Sequence, residues 1–293
     1  MSKDVLRWVY LLVLSLIWGS SYILIKKGLV GLSPIQVGSF RILMTTGILL
    51  VVGHRHLRSI RREQWKWLAF TGFVGTFFPS FLFAYSETEI DSSIAAVLNG
   101  LTPVFTLVIS GVVFGQPLFR RQALGVVVGF LGTILLVVQE LTLSTNDGRY
   151  ALLAVVAALC YGINVTTLKN RLQGVSPMGI ALGNFIFICF PALLLLASTE
   201  FPWANFYTQP KITHSLGFIF ILSAVGTAFA KVLFNRLLAF SSAVFTISIT
   251  YLIPIVAIFW GVLDGETFGW MQAGASLLIL GGIYLVTEQK KAP

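Results

Sequence analysis

About ten apolar segments follow one another between residues 8 and 287, each near the roughly 20 residues that a helix needs to cross a bilayer. With 56% hydrophobic and 11% charged residues, the chain does not fit a water-soluble domain. In lipid, every backbone N–H and C=O needs a partner inside the protein, and helices supply it. The sequence therefore predicts an all-α polytopic membrane protein with ten transmembrane helices, at residues 8–27, 34–53, 65–86, 92–114, 121–139, 150–169, 178–198, 214–238, 241–263 and 270–287.

The connections between these segments are too short to hold a soluble enzymatic or nucleic-acid-binding domain. The net charge of +9 therefore does not indicate nucleic-acid binding, and it reflects where the lysines and arginines lie. With the N-terminus in the cytoplasm, 14 of the 20 fall inside, 4 fall outside and 2 lie within segments. This positive-inside bias predicts a multi-pass protein of the inner (cytoplasmic) membrane with both termini in the cytoplasm.

The chain also aligns with itself at shifts of 143 to 151 residues. Residues 19–34 (GSSYILIKKGLVGLSP) align with residues 162–177 (GINVTTLKNRLQGVSP), and residues 74–76 (VGT) align with residues 225–227 (VGT). Because five helices are an odd number, the second repeat enters the membrane from the opposite side, as in carriers with a substrate site near the midplane. We therefore expect two inverted five-helix repeats around a central cavity, at residues 1–143 and 150–293, with a linker at 144–149.

A series of short motifs runs through both repeats: Trp18-Gly19-Ser20-Ser21, Lys26, Gly31-Leu32-Ser33-Pro34, Arg41, Thr102-Pro103-Val104-Phe105 with Gly115, and Ile253-Pro254-Ile255 with Gly265-Glu266. Their order and spacing resemble the drug/metabolite transporter superfamily, in its ten-helix EamA-type exporter branch. The resemblance implies a basket of helices with segments 5 and 10 at its periphery, and export of amino acids or related small metabolites. Gln116 departs from the family pattern, which usually has Glu there, and this argues against a coupling role for that acid.

Two basic residues lie within segments, Arg41 in the second and Lys231 in the eighth. Insertion of a basic residue at a helix centre costs about 2.5–3.5 kcal/mol, so such residues usually face a cavity or a partner. For Lys231 we expect contact with a substrate carboxylate, against a structural or snorkelling role. For Arg41 a structural role is favoured, because the resembling family often has Arg there whatever the substrate.

Polar and aromatic side chains occupy matching places in the two repeats: Trp18 aligns with Tyr161, and Ser21 aligns with Asn164. Aromatic faces beside amides could hold a zwitterion, although Asn and Ser also serve in plain helix packing. The predicted substrate-binding residues are therefore Trp18, Ser21, Asn99, Tyr161, Asn164, Lys231 and Tyr251.

Proline and glycine patterns add three structural predictions. Pro103 and Pro254 align and lie within segments, so they are candidate hinges, with static kinks as the alternative. The Gly125-xxx-Gly129 pattern is expected to pack within the chain rather than to form a dimer. The acidic turn at residues 87–91 is expected to be solvated, with proton coupling as the alternative.

These features predict a secondary transporter that exports small metabolites, amino acids or related carboxylate-bearing compounds first, by alternating access. The alternatives are a carrier for nucleosides, drugs or other uncharged metabolites, a membrane sensor, or an intramembrane enzyme. The enzyme class is disfavoured because the segments hold no deep acid, and the two cysteines and three histidines have no metal-ligand spacing. We expect no cofactor and no metal. The expected partners are a small-molecule substrate and the lipid bilayer, without nucleic acid, in a monomer or weak homodimer.

Overall fold

A computed structural model describes residues 3–115, 119–143, 148–241, 246 and 249–287, and these residues form helices and short turns without a β-strand. Within the described residues, seven helices are continuous and three are built from consecutive pieces. In chain order they are α1 (Lys3–Leu29), α2 (Pro34–Gly53), α3 (Trp65–Gly72, Phe73–Phe77 and Phe78–Ser86), α4 (Ser92–Asn99 and Thr102–Phe114), α5 (Arg120–Leu143), α6 (Ala151–Arg171), α7 (Pro177–Ala197), α8 (Pro210–Ile221, Leu222–Phe229 and Ala230–Phe240), α9 (Ile249–Leu263) and α10 (Trp270–Thr287).

The lengths and composition of these helices match a membrane-spanning protein. Seven spans, in α1 to α4 and α6 to α8, are long and apolar enough to cross a bilayer. Shorter apolar helices follow in α9 and α10, at Leu252–Leu263 and Trp270–Leu285. The prediction of an all-α polytopic membrane protein is confirmed. The connections alternate between two ends, which we name the basic face (residues 54–64 and 172–176) and the acidic face (residues 87–91 and 264–269).

Helix packing follows the duplication seen in the sequence. α1 packs on α9 as α6 packs on α4, and α2 packs on α8 as α7 packs on α3. The pairs α2–α7 and α5–α10 join equivalent helices of the two halves. Exchanging each helix with its counterpart five places along therefore maps these pairs onto one another, as expected for two inverted five-helix repeats.

Local sequence explains why α2 and α7 begin at equivalent residues. The Ser33 hydroxyl accepts a hydrogen bond from the Gln36 backbone N–H at 3.3 Å, and the Ser176 hydroxyl accepts one from the Gly179 N–H at 3.1 Å. Each serine is followed by a proline at the first helical position, where a missing N–H costs nothing. The repeated Ser-Pro pair is thus a helix-start signal used twice.

The repeated Val-Gly-Thr triplets form π-helical turns, which the sequence did not predict. One turn spans Phe73–Phe77 in α3, and the other spans Leu222–Phe229 in α8. At each turn a glycine allows close approach of another helix. A Cβ on Gly75 would lie 2.2 Å from the Asn164 side chain, and one on Gly226 would lie 2.9 Å from the Ser21 hydroxyl. π-helical turns occur often at functional sites.

The two aligned prolines occupy different local structures. Pro103 is the second residue of the second piece of α4, after a break at Gly100 and Leu101, whereas Pro254 lies inside the continuous helix α9. The Thr102 hydroxyl donates to the Asn99 carbonyl across that break at 2.8 Å. A hinge role for the prolines stays a prediction.

Glycines bring α5 and α10 into backbone contact. A Cβ on Gly282 would lie 2.5 Å from the Gly129 nitrogen and 2.7 Å from the Gly125 carbonyl oxygen. The Gly125-xxx-Gly129 pattern therefore packs within the chain, as predicted.

Candidate functional site

A central cavity of about 130 Å³ lies between the two halves. Its lining comes from α1 to α4, from α6 to α9 and from Thr246, whereas α5 and α10 contribute none of the lining residues among those described. The cavity wall mixes apolar side chains with hydroxyls, amides and two basic groups. This is the kind of site that holds a small polar molecule in a fixed orientation.

The cavity brings together six of the seven predicted substrate-binding residues, namely Trp18, Ser21, Asn99, Tyr161, Asn164 and Lys231. The side chain of the seventh, Tyr251, lies outside the described residues. Arg41, predicted as a structural charge, lines the same cavity. Substrate contact by these side chains stays a prediction. Within the described ranges, no three His, Cys, Asp or Glu side chains form a group that could hold a metal ion.

The glycines of the two π-helical turns present backbone carbonyls to cavity residues. The Trp18 indole N–H donates to the Gly226 carbonyl at 3.1 Å, and the Lys231 ammonium donates to the Gly75 carbonyl at 3.2 Å. Lys231 also donates to the Thr76 hydroxyl, and its nitrogen lies 5.7 Å from the centre of the Phe185 ring. Lys231 is therefore held in place by neutral groups of α3 and α7.

Arg41 reaches across the cavity wall from α2 to α8. Its Nε donates to the Thr227 hydroxyl at 2.9 Å, and the residue is 9% exposed. Thr227 also lies in a π-helical turn, four residues before Lys231. The two basic side chains thus meet α8 about one helical turn apart.

Two aromatic pairs occupy equivalent places in the cavity wall. Trp18 packs on Phe234 with ring centres 5.2 Å apart, and Phe83 stacks on Tyr161 at 6.1 Å. Position along the helices puts the first pair toward the basic face and the second toward the acidic face. Phe83 and Phe234 are not among the residues predicted from the sequence, although the shift of 151 residues aligns them.

Several other polar lining residues were also missed. Asn184 and Asn235 line the cavity on α7 and α8, and the Asn235 amide donates to the Pro177 carbonyl at 3.1 Å. The shift of 143 residues aligns Asn184 with Arg41, so the repeat carried a signal for it. Asn164 is 7% exposed, and its Oδ1 has no hydrogen-bond partner among the described residues.

At the acidic face, a carboxylate from one half of the chain caps the start of a helix in the other half. Glu266 accepts hydrogen bonds from the Ser92 N–H at 3.0 Å, the Ser92 hydroxyl at 2.6 Å and the Ser93 N–H at 3.1 Å. Burial favours the neutral acid, but hydrogen bonds from Lys26, Ser92 and Ser93 outweigh it and hold the pKa of Glu266 below its usual range. Glu266 therefore takes the place of a side-chain cap at the N-terminus of the first piece of α4, whose own N-cap residue, Asp91, makes no side-chain capping hydrogen bond.

Two lysines at the end of α1 complete this arrangement. The Lys26 ammonium lies 2.8 Å from Glu266 and 3.0 Å from Asp264, and Lys27 pairs with Asp264. For Asp264, burial again favours the neutral form, but the pairs with Lys27 and Lys26 lower its pKa. The ends of α1, α4 and α9 are thus tied together at the acidic face.

Glu87 corrects the expectation of a solvated acidic turn. It is 7% exposed, and neither carboxyl oxygen has a hydrogen-bond partner among the residues that the structure describes. Burial raises the pKa of the Glu87 carboxyl well above its usual range, and the Glu266 carboxylate adds to the effect. Its electrostatic neighbours Glu266, Arg41 and Lys26 come from segments remote in the sequence, so the burial is a product of helix packing.

Comparison with known proteins shows which family shares this sequence pattern. The sequence profile of the EamA-like transporter family matches residues 6–138 and again residues 148–288. An uncharacterized transporter of Archaeoglobus fulgidus is 23% identical, over 97% of this chain and 99% of that protein. A probable amino-acid metabolite efflux pump of Salmonella typhimurium is 23% identical, over 94% of this chain and 92% of that protein.

Two further similarities extend over almost the whole chain. The uncharacterized inner membrane transporter YedA of Escherichia coli is 26% identical, over 96% of this chain and 90% of that protein. A crystal structure with 16% identity superposes with a TM-score of 0.64, over 97% of this chain and 96% of the other. At that identity the superposition shows a shared fold.

A ten-helix membrane bundle with a polar central cavity, matched in both halves by one family profile, is a transporter of small molecules rather than an enzyme. The lipid bilayer is its environment, and the three relatives described above are named as transporters or as an efflux pump. The chain belongs to the EamA-like transporter family.

Proposed function

We propose that this protein exports small carboxylate-bearing metabolites, amino acids among them, across the cytoplasmic membrane by alternating access. The observation that carries the proposal is the Lys231 ammonium in the cavity wall, hydrogen-bonded to neutral oxygens only. An ammonium has three N–H donors, and two are used by Gly75 and Thr76. The third is available to a substrate carboxylate.

The rest of the cavity supports the same substrate class. The aromatic rings of Trp18 and Tyr161 offer apolar contact to a side chain, and the Asn164 amide offers an oxygen to a substrate ammonium. The efflux pump of Salmonella typhimurium named above, 23% identical, supports amino acids as the first candidates.

Inverted repeats allow the protein to alternate between an inward-open and an outward-open form, because the two halves can exchange conformations. We assign the repeats to residues 1–143 and 150–293, with a linker at 144–149, and place hinges at Pro103 and Pro254. The excess of lysines and arginines at the basic face supports a cytoplasmic location for that face and for both termini. Substrate then enters from the basic face and leaves at the acidic face.

The test is transport by purified protein in liposomes, comparing Lys231→Ala with Lys211→Ala, a control at an exposed lysine outside the cavity. A hydrogen bond to a charged group contributes about 1.5–3 kcal/mol, so Lys231→Ala should lower uptake of a carboxylate substrate by roughly 10- to 100-fold. Counterflow-stimulated, saturable uptake by the wild type identifies a carrier.

Because Lys231 also holds the Gly75 carbonyl, thermal unfolding of Lys231→Ala is measured alongside transport. Lys231→Arg keeps the charge and should retain part of the activity. Normal transport by a folded Lys231→Ala protein would assign Lys231 to structure alone.

A second candidate substrate class is favoured by the aromatic pairs. Trp18 with Phe234, and Tyr161 with Phe83, offer ring faces on which a nucleobase or a planar drug could stack. Transport of an uncharged nucleoside that is unaffected by Lys231→Ala would support this class over carboxylates.

A further inference from the structure

The cavity carries two positive charges at adjacent positions, and together they indicate a narrower class of substrate. Arg41 is tied to Thr227, and Lys231 follows Thr227 by four residues on α8. Side chains at this spacing on a helix lie roughly 6 Å apart at their Cβ atoms. Both residues line the cavity.

Neither cation forms an ion pair in the part of the chain that the structure describes, and the acid in electrostatic range of Arg41 is the buried Glu87, which makes no hydrogen bond to it. Arg41 donates its Nε to the Thr227 hydroxyl, and Lys231 donates to the Gly75 carbonyl and the Thr76 hydroxyl. The ion pairs formed by described residues involve other lysines and arginines, at the acidic face and in the basic loop. Buried charges are normally paired, because removing them from water is costly.

The repeat shows that these positions do not need a charge for packing. The residue aligned with Arg41 is Asn184, and the residue aligned with Lys231 is Ser80. Both neutral counterparts also line the cavity. Since the same fold accommodates neutral side chains at the equivalent places, the two cations are free to serve a ligand.

We propose that the cavity selects a small dicarboxylate, with one carboxylate bound to the Arg41 guanidinium and the other to the Lys231 ammonium. This inference rests on the carboxylate transport proposed above. A dianion neutralises both charges of the wall, whereas a zwitterionic amino acid leaves them uncompensated. The guanidinium fork matches the two oxygens of a carboxylate, and the ammonium acts as a point charge. The one-turn separation suits a four-carbon dicarboxylate.

Thermal unfolding of detergent-purified protein with succinate, alanine, inorganic phosphate or uridine tests this selection, followed by transport in liposomes. A ligand of the folded state raises the melting temperature in proportion to occupancy. Succinate should bind at least tenfold more tightly than alanine. Arg41→Gln should lower succinate affinity by about tenfold or more, as expected for loss of a charged hydrogen bond, and should leave alanine binding nearly unchanged.

Arg58→Gln, at an exposed position of the basic face, is the matched control and should bind succinate normally. Arg41→Lys keeps the positive charge but loses the forked guanidinium, so it should recover part of the preference for succinate over alanine. It also tests the role of the charge if Arg41→Gln does not fold. Equal binding of succinate and alanine, or stronger binding of phosphate or uridine than of succinate, overturns the dicarboxylate assignment. If alanine transport still depends on Lys231, the proposed function survives that result; if neither carboxylate is transported, both proposals fail.

Discussion

Glu266 should stabilise the folded protein more than any exposed carboxylate, because it joins three elements at once. Its two oxygens accept from the Ser92 and Ser93 N–H groups, the Ser92 hydroxyl and the Lys26 ammonium. Replacing Glu266 with Ala leaves two N–H groups at the start of a helix without their acceptor. The perturbation therefore removes a helix cap and half of an ion-pair cluster.

The magnitude follows from those contacts. Loss of an N-cap costs about 0.5–2 kcal/mol, and each hydrogen bond to a charged group contributes about 1.5–3 kcal/mol. The Lys26 share is discounted, because its side chain is 31% exposed and it keeps Asp264 as a partner. We expect Glu266→Ala to lower the free energy of unfolding by roughly 2–3 kcal/mol, a fall in melting temperature of about 5 °C.

The assay is thermal unfolding in detergent, followed by intrinsic tryptophan fluorescence over a range of pH. Glu63→Ala is the matched control, because Glu63 forms an ion pair with Arg61 but its side chain is 71% exposed. Since the pKa of Glu266 is lowered in the folded protein, its contribution is present above the ordinary carboxyl pKa and is lost as the pH falls through the lowered value. The difference between wild type and Glu266→Ala should therefore shrink in acid. Equal melting of Glu266→Ala and Glu63→Ala, or a difference that stays constant in acid, would refute the reasoning.

Two further predictions concern buried positions. Because the pKa of Glu87 is raised in the folded protein, the stability it contributes is complete below its unfolded pKa and is lost as the pH rises through the folded value. Glu87→Gln should therefore have a higher melting temperature than the wild type at alkaline pH. A lower melting temperature there would contradict the assignment. Gly282→Leu should reduce stability by about 1–3 kcal/mol through a clash with Gly129, whereas Gly281→Leu, with open space around its Cβ, should change it little, as measured by the same unfolding assay.

Much of the cavity could be predicted from the repeat alone. Trp18 with Tyr161 and Ser21 with Asn164 align in the sequence, and all four line the cavity. The same shift of 143 residues pairs Arg41 with Asn184, and the shift of 151 residues pairs Phe83 with Phe234, so the signal for the missed residues was present. An inverted repeat places aligned residues at equivalent depths, and this makes sequence similarity within the chain a guide to the shared site.

Other features had no local signal. The environment of Glu87 includes Lys26, Arg41 and Glu266, which come from other segments of the chain. The role of Glu266 depends on Ser92 and Lys26 in the other half. The π-helical turns at residues 73–77 and 222–229 share only the repeated Val-Gly-Thr triplet, which does not by itself specify a π-helix. At one of these turns Gly75 lies directly against the Asn164 side chain, a contact that exists only once α3 packs on α6.

By itself, the sequence determined the class of protein, the positions of the helices and their duplication, because hydropathy and helix-start signals act along a single segment. Only the tertiary structure decided which charges are paired. It ties Lys26 to Glu266 at the acidic face and leaves Arg41 and Lys231 in the cavity among neutral groups. Charge pairing depends on distances of a few ångströms between distant segments, and only the packing of the helices sets those distances.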